Sequence, residues 1–391
     1  MQPSQNTISL ERKRFLAGHL ELACKELELP ESKWEAAKTA YESVGAWLNE
    51  CPVLRPYKPA IRPQGSSAHG TTTKPVGRDE FDIDLVCHLL VADDRLPHDG
   101  VKKIVGDRLK AYSRGPKCSE YKRCWRLDYA KDSQMHLDIT PAVNHTTSRF
   151  KSLAVPDRDA KRWQESNPFG YTELFCKIAA LTPRLAQQVI ELSAKAARAG
   201  VQPLPDQTSI KGYLRRTVQL LKRHRSLYFE KHPELAPISI ILSTLAKRSY
   251  ARIVDSQRLY DNEFDIVCDI VRGLADFVSH GPAGWLIKNS TTESENFAEK
   301  WNKNPALADA FYRWHRQAVH DFQALADAAD TINSYAIFDR IVGQKVASVV
   351  RARETTLVNE ARAHGALGVT TRGMLTTAAG ISVAGNTYYG A

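Results

Sequence analysis

Three aspartates and one run of small residues carry the chemistry legible in this 391-residue chain. The segment Gln64-Gly65-Ser66-Ser67-Ala68-His69-Gly70-Thr71 has side chains small enough for backbone amides to approach a phosphate. A helix beginning near Ser66 would add free N–H groups and a dipole that favour the same anion. A short basic stretch later, Phe81, Ile83 and Leu85 alternate with Asp82, Asp84 and Val86, the period of a strand with one buried face. Asp82 and Asp84 would then project from one face, about 6–7 Å apart along the strand. That separation lets two carboxylates share or flank a pair of ions about 4 Å apart. Asp138 stands in a second alternating strand, Met135-His136-Leu137-Asp138-Ile139, which Pro141 is expected to end. Hard carboxylate oxygens suit two magnesium ions, or manganese in their place. Such ions would neutralise a triphosphate and lower the pKa of an attacking hydroxyl, which is metal-dependent nucleotidyl transfer.

Each feature alone has a plainer reading. Gly-Ser is ordinary turn chemistry, and Asp-x-Asp on a strand edge is usually a solvated face. Their order, and the apolar residues that frame each carboxylate, favour the metal reading.

The stretch from Gly65-Ser66-Ser67 to Asp82-Ile83-Asp84-Leu85-Val86 resembles the signature of the polymerase-β-type nucleotidyltransferases, and Met135-His136-Leu137-Asp138-Ile139-Thr140-Pro141-Ala142 resembles their third-aspartate strand. Within that group the chain is similar to the bacterial CD-NTases, the oligonucleotide cyclases of CBASS anti-phage defence, from about residue 50 to about 330. Glu80-Phe81-Asp82 offers another register for the carboxylate pair; the flanking Leu85-Val86 favours Asp82 and Asp84. The resemblance implies an α+β fold: a polymerase-β-like core of mixed sheet and helices, joined to a C-terminal helical lobe to give a bilobed molecule. It also implies that Asp82, Asp84 and Asp138 hold the ions and act in catalysis. Gln64, Gly65, Ser66, Lys222 and Ser239 would bind the nucleotide, with Lys222 and Ser239 on the donor triphosphate. Ile240 follows Ser239 where the related animal cyclic-GMP-AMP synthase has a base-stacking aromatic, so base stacking must come from elsewhere. Substrates would be NTPs, ATP first among them and GTP or others also open, and the cyclic di- or trinucleotide product would activate an effector.

Composition is consistent with this. The chain is long enough for two cores, and its net charge of +10 points to a polyanionic partner. Seven cysteines, an odd number, suit a reducing compartment rather than a disulfide framework. Cys118, Cys124 and His136 do not have the spacing of a common zinc site. No segment approaches the roughly 20 apolar residues of a membrane span, so a soluble, cytoplasmic protein without membrane contact is expected.

Punctuation and periodicity divide the chain into N-terminal helices (1–52), a catalytic core (53–155), a helical lobe (156–365) and a flexible tail (366–391). Helices are predicted near 9–27, 31–49 and 99–112, with strands near 81–90, 124–130 and 134–140 and an extended approach to the sheet over 53–62. From 168 onward the pattern is helical, including a segment at 184–199, and 281–300 reads as a loop. On the helix predicted at 209–226, Leu214, Val218 and Leu221 form an apolar stripe. Lys211, Arg215, Arg223 and Arg225 read as its solvated basic face. The tail carries one charge, Arg372, and ends Tyr388-Tyr389-Gly390-Ala391. It resembles CD-NTase tails that a ubiquitin-activating-like enzyme attaches to a target through the last small residue, which would make Gly390 or Ala391 the conjugated position. The competing function is a nucleotidyltransferase that extends an RNA end or modifies a protein with the same core.

Overall fold

A computed structural model describes residues 5–76, 81–112, 117–129, 135–186, 212–328 and 331–363, with three dipeptides further on (368–369, 375–376 and 381–382). The chain opens with α1 (Gln5–Leu27) and α2 (Glu31–Asn49), separated at Pro30 as predicted. After β1 (Ala60–Pro63) and the five-residue α3 (Gly65–His69) comes the long β2 (Phe81–Ala92), followed by α4 (His98–Lys110). The strands β3 (Lys117–Glu120), β4 (Trp125–Asp128), β5 (Met135–Asn144), β6 (Leu153–Asp157) and β7 (Arg162–Ser166) complete one seven-stranded sheet.

Its spatial order is β1-β2-β5-β4-β3, with β6 pairing β5 and β7. Only β2 and β5 run parallel; the other pairs are antiparallel. The alternation read from the sequence is the one observed. Phe81, Ile83 and Leu85 are buried in β2, and Met135, Leu137 and Ile139 in β5, against α2 and α4. Gly106 lets α4 lie flat on the sheet, since a Cβ there would fall 2.0 Å from the Trp125 ring.

Pro141 does not end β5, which runs on to Asn144. On that edge β4 pairs residues 136–139 and β6 pairs residues 143–144, so the proline sits at the step between two partners, where a missing N–H is tolerated.

The second core is helical. It is built from α1, α5 (Pro168–Ala179), α6 (Gly212–Tyr228), α7 (Ser239–Asp255), α8 (Glu263–Arg272), α9 (Ala306–Asp327), α10 (Thr331–Val342) and α11 (Gln344–Ala363). The N-terminal helices are divided between the cores: α1 packs with the helices and α2 with the sheet. The stripe of Leu214, Val218 and Leu221 is buried, but α6 has no solvated basic face. Helices surround it, so Arg216, Lys222 and Arg223 are buried as well; Arg216 bonds Glu21 and Glu28 at 2.6 Å each. Lys211 lies outside the described residues. At the start of the segment predicted as a helix over 184–199, Arg184–Leu185 instead pairs with Leu259–Tyr260 as two short parallel strands. The expected loop at 281–300 includes a short hairpin, Ser279–Gly281 with Gly284–Leu286. Within the expected tail, Gly368–Val369 pairs antiparallel with both Leu375–Thr376 and Ile381–Ser382. Gly390 and Ala391 lie outside the described residues. Among the described residues no helix is long and apolar enough to cross a membrane.

Candidate active site

The site forms where the parallel pair β2–β5 meets α3 on one side and α6 and α7 on the other. Asp84 and Asp138 are in-register partners across β2 and β5, on strands that stand about 4.8 Å apart. Asp82 is two residues back on the same face and half exposed, whereas Asp138 is 14% exposed.

The approach to this face is closed by the loop predicted to cradle phosphate. Gln64 donates its backbone N–H to the Asp84 carbonyl at 2.8 Å, and its side chain reaches the Thr140 hydroxyl at 3.4 Å. Gly65 follows with φ of +62°, and a Cβ on it would lie 2.6 Å from Asp84 Oδ2. Glycine is therefore required twice here, for the backbone and for the carboxylate.

A cavity of about 360 Å³ is lined by Gly65, Ser66, Asp82, Asp84, Lys222 and Ser239 among others. Six of the eight residues singled out from the sequence for catalysis or nucleotide binding thus share one cavity wall. Asp138 and Gln64 are not among the lining residues but adjoin Asp84, the first as its register partner and the second through the backbone bond. Lys222, from the middle of α6, donates to the Thr71 carbonyl at 2.9 Å and hydroxyl at 3.2 Å, which ties the helix to the end of the phosphate loop. His69 packs instead of reaching outward: its ring stacks on Phe175 at 4.8 Å. Burial, reinforced by the charges of Lys222, Lys247 and Arg215, holds its pKa down to about 3, so it is neutral.

The electrostatics are those of a site that expects charge from outside. Burial, with the neighbouring charges of Asp138 and Asp82, pushes the Asp84 carboxyl up to about 7; Lys222 and Arg126 oppose the shift. Burial, helped by Arg225, pulls the Lys222 ammonium down to about 7, against the field of Asp84.

Sequence reasoning missed Arg126. It lies in β4 opposite Asp138 in register and grips that carboxylate with two bonds of 2.7 Å, while its Nη2 is 3.1 Å from Asp82. Its guanidinium carbon also sits 4.9 Å from the Tyr121 ring centre. The available signal was a lone basic residue framed by buried Trp125 and Leu127, which puts it on the aspartate face. With Arg126 so placed, no three acidic, histidine or cysteine side chains among the described residues converge closely enough to hold an ion as they stand. The donor set nevertheless fits a hard cation. It is all carboxylate oxygen, burial together with the charges of Asp138 and Asp82 raises the Asp84 carboxyl, and Asp82 is half exposed.

Residues 16–177 match the profile of the Second Messenger Oligonucleotide or Dinucleotide Synthetase domain. The chain is 29% identical over 390 residues to c-di-GMP synthase from Roseivirga ehrenbergii, covering 98% of this chain and 99% of that protein. It is also 29% identical over 309 residues to the cyclic dinucleotide synthase CdnG of Bradyrhizobium diazoefficiens, covering 73% of this chain and 70% of the other. The solved structure of that CD-NTase in complex with GTP shares the fold, with a TM-score of 0.65 at 21% identity over 86% of this chain and 96% of the other. A carboxylate trio on a mixed sheet and a glycine loop pressed against it accompany these likenesses, so that the chain is similar in its N-terminal half to the synthetase domain, along its whole length to a bacterial cyclic dinucleotide synthase, and in fold to a CD-NTase.

Proposed function

We propose that the protein joins nucleoside triphosphates into a cyclic oligonucleotide second messenger, with release of pyrophosphate. The observation that carries this reading is the shared cavity wall of Gly65, Ser66, Asp82, Asp84, Lys222 and Ser239, with Asp138 as the register partner of Asp84 on the neighbouring strand. In each transfer a bond forms between a ribose hydroxyl oxygen and the α-phosphorus, and the bond from that phosphorus to the bridging oxygen of pyrophosphate breaks. Ser66, the amides that follow Gly65, Lys222 and Ser239 hold the triphosphate. Asp138 is the carboxylate nearest in role to the incoming hydroxyl and the candidate to take its proton. Asp82, Asp84 and Asp138 would hold magnesium, or manganese, which supplies neutralisation of the phosphates and a lowered hydroxyl pKa. Fixed cations and amides then stabilise charge that grows on the departing oxygens.

A cyclic dinucleotide is the product class favoured by the two relatives, one named c-di-GMP synthase and the other a cyclic dinucleotide synthase. GTP is the first substrate to test, since the similar solved structure holds GTP; ATP is the second. A role in CBASS anti-phage defence, with a product-activated effector, follows from the same kinship. Conjugation of the tail through Gly390 or Ala391 by a ubiquitin-activating-like enzyme is the corresponding proposal for regulation. Mass spectrometry of the protein incubated with such an enzyme and ATP would have to show a tail-linked species.

The test of the activity is direct. Purified protein is incubated with labelled ATP, GTP, CTP and UTP and magnesium or manganese, then with phosphatase. A compact phosphatase-resistant product, absent from Asp82→Ala and Asp138→Ala, is expected. A ladder of products would move the protein to the terminal transferases, and label on protein to the protein-modifying nucleotidyltransferases.

A further inference from the structure

Helix α6 brings three cations to the cavity, and two of them already have partners. Lys222 is held by Thr71. Arg225 donates to the Pro237 carbonyl at 2.9 Å and also reaches the hydroxyls of Ser239 at 3.4 Å and Ser226 at 3.3 Å. Lys74, which also lines the cavity, pairs with Glu26 at 2.8 Å. Arg223 differs. It is 8% exposed and lines the cavity, its Nε is buried without a hydrogen bond, and no carboxylate or carbonyl among the described residues accepts from its guanidinium. A buried, unpaired guanidinium costs several kcal/mol by general experience, and native proteins pair such groups. The cavity is where a partner can come from.

The position of Arg223 says which anion, and which part of it. Lys222 donates to Thr71, at the end of the loop whose Gly65 packs on Asp84, and lines the cavity together with Asp82 and Asp84. Arg223 lies one helical turn beyond Gln219, whose side chain donates to the Thr72 carbonyl at 3.1 Å, so it stands on the face of α6 towards the Thr72–Val76 lining, past the loop that packs on Asp84. In nucleotidyl transfer the reacting α-phosphorus must sit by the carboxylates. The phosphate farthest from them is the terminal one. A planar guanidinium matches two phosphate oxygens at once, which a lysine cannot do.

We propose that Arg223 binds the terminal phosphate of the donor nucleoside triphosphate and makes the site discriminate triphosphates from diphosphates. The proposal rests on the nucleotidyl-transfer reading of the cavity, and the experiment separates the two. Binding of α,β-methylene ATP and GTP is compared with binding of the matching α,β-methylene diphosphates, by calorimetry in magnesium, for wild type, Arg223→Gln and Arg223→Lys.

Wild type is expected to prefer triphosphate by about 10-fold or more, the range of one charge-assisted pair. Arg223→Gln should lose that preference while its diphosphate affinity changes less than about threefold. Arg223→Lys should fall between, keeping the charge without the fork. Because Arg223 has no structural partner, ligand-free Arg223→Gln should melt no lower than wild type. Equal loss of triphosphate and diphosphate affinity, an unchanged ratio, or collapse of the fold in Arg223→Gln would each overturn the proposal. A wild-type protein that binds no nucleotide would overturn the functional reading with it.

Discussion

Replacing Asp84 with asparagine should stabilise the protein in the absence of divalent ions, and the gain should depend on pH in a defined direction. The folded-state pKa of Asp84 is raised from 3.8 to about 7. Between those values the folded state keeps a proton that the unfolded state has released, so wild-type stability falls as pH rises through this window and is flat above it. Three units at about 1.4 kcal/mol each give a penalty of ~4 kcal/mol at pH 8, and close to none at pH 4. Asparagine fills the same space without the charge and should recover most of that difference. For a chain of 391 residues, with an unfolding entropy of about 2.1 cal/mol/K per residue, the gain corresponds to ~5 °C in Tm.

The assay is thermal and urea unfolding of both proteins in chelator at pH 4.5, 6 and 8. The gap should widen with pH and level off above about pH 7. Added magnesium or manganese should then narrow it at pH 8, since an ion on Asp84 relieves the wild-type penalty and has less to relieve in the variant. An asparagine variant less stable than wild type at pH 8, or a gap that ignores pH, would refute the reasoning.

Three further outcomes are expected. Gly65→Ala should keep the fold but cost about 1 kcal/mol for its positive φ and displace Asp84, so that product formation in the nucleotide assay falls by about 100-fold. Arg126→Ala removes the two-bond partner of Asp138 and should lower ion-free stability by about 1–3 kcal/mol, measured in urea; millimolar manganese should restore more stability to this variant than to wild type. Binding of a nonhydrolysable nucleotide at pH 8 should take up a proton. Lys222, with its pKa near 7, is mostly neutral there, a triphosphate raises that pKa, and Asp84 has already released its proton. Calorimetry in buffers of different ionisation enthalpy gives the number, and net proton release would contradict the assignment.

The strands that carry the aspartates were legible because α2 and α4 cover one face and a polar cavity lies on the other, which leaves a period-two record in Phe81, Ile83, Leu85 and in Met135, Leu137, Ile139 even though these two strands pair in parallel. Strands without that record were missed. The segment Lys117–Glu120 is four mostly polar residues on the sheet edge, and Leu153–Asp157 is buried on both faces and contains a proline. The basic residues of α6 misled for a related reason. Sequence shows which residues carry charge but not that other helices and the phosphate loop bury this one, and a cation count cannot separate a solvated face from a buried one lining a cavity. Arg126 went unnoticed because its meaning depends on strand register: only the pairing of β4 with β5 sets it opposite Asp138.

The two unfavourable charges at the centre of the site make a last prediction, that ion and triphosphate bind cooperatively. Asp84 holds its proton too tightly and Lys222 holds its proton too weakly, and each partly rescues the other. An ion on Asp84 cancels the field that supports the Lys222 ammonium, so ion alone leaves the lysine worse off. A triphosphate alone meets an unneutralised carboxylate cluster. Together they supply what each other's partner lacks, and linkage requires the benefit to be the same measured from either side. Manganese affinity should rise when a nonhydrolysable triphosphate is present, after correction for ion held by free nucleotide. Triphosphate affinity should rise by an equal factor with manganese, typically about 5- to 150-fold for such couplings. Lys222→Met should weaken the coupling, because the lysine can then no longer be rescued by the phosphate. Ion and nucleotide that bind independently in wild type would show that Asp84 and Lys222 do not share one ligand, and the reading of the cavity as a donor-triphosphate site would fall.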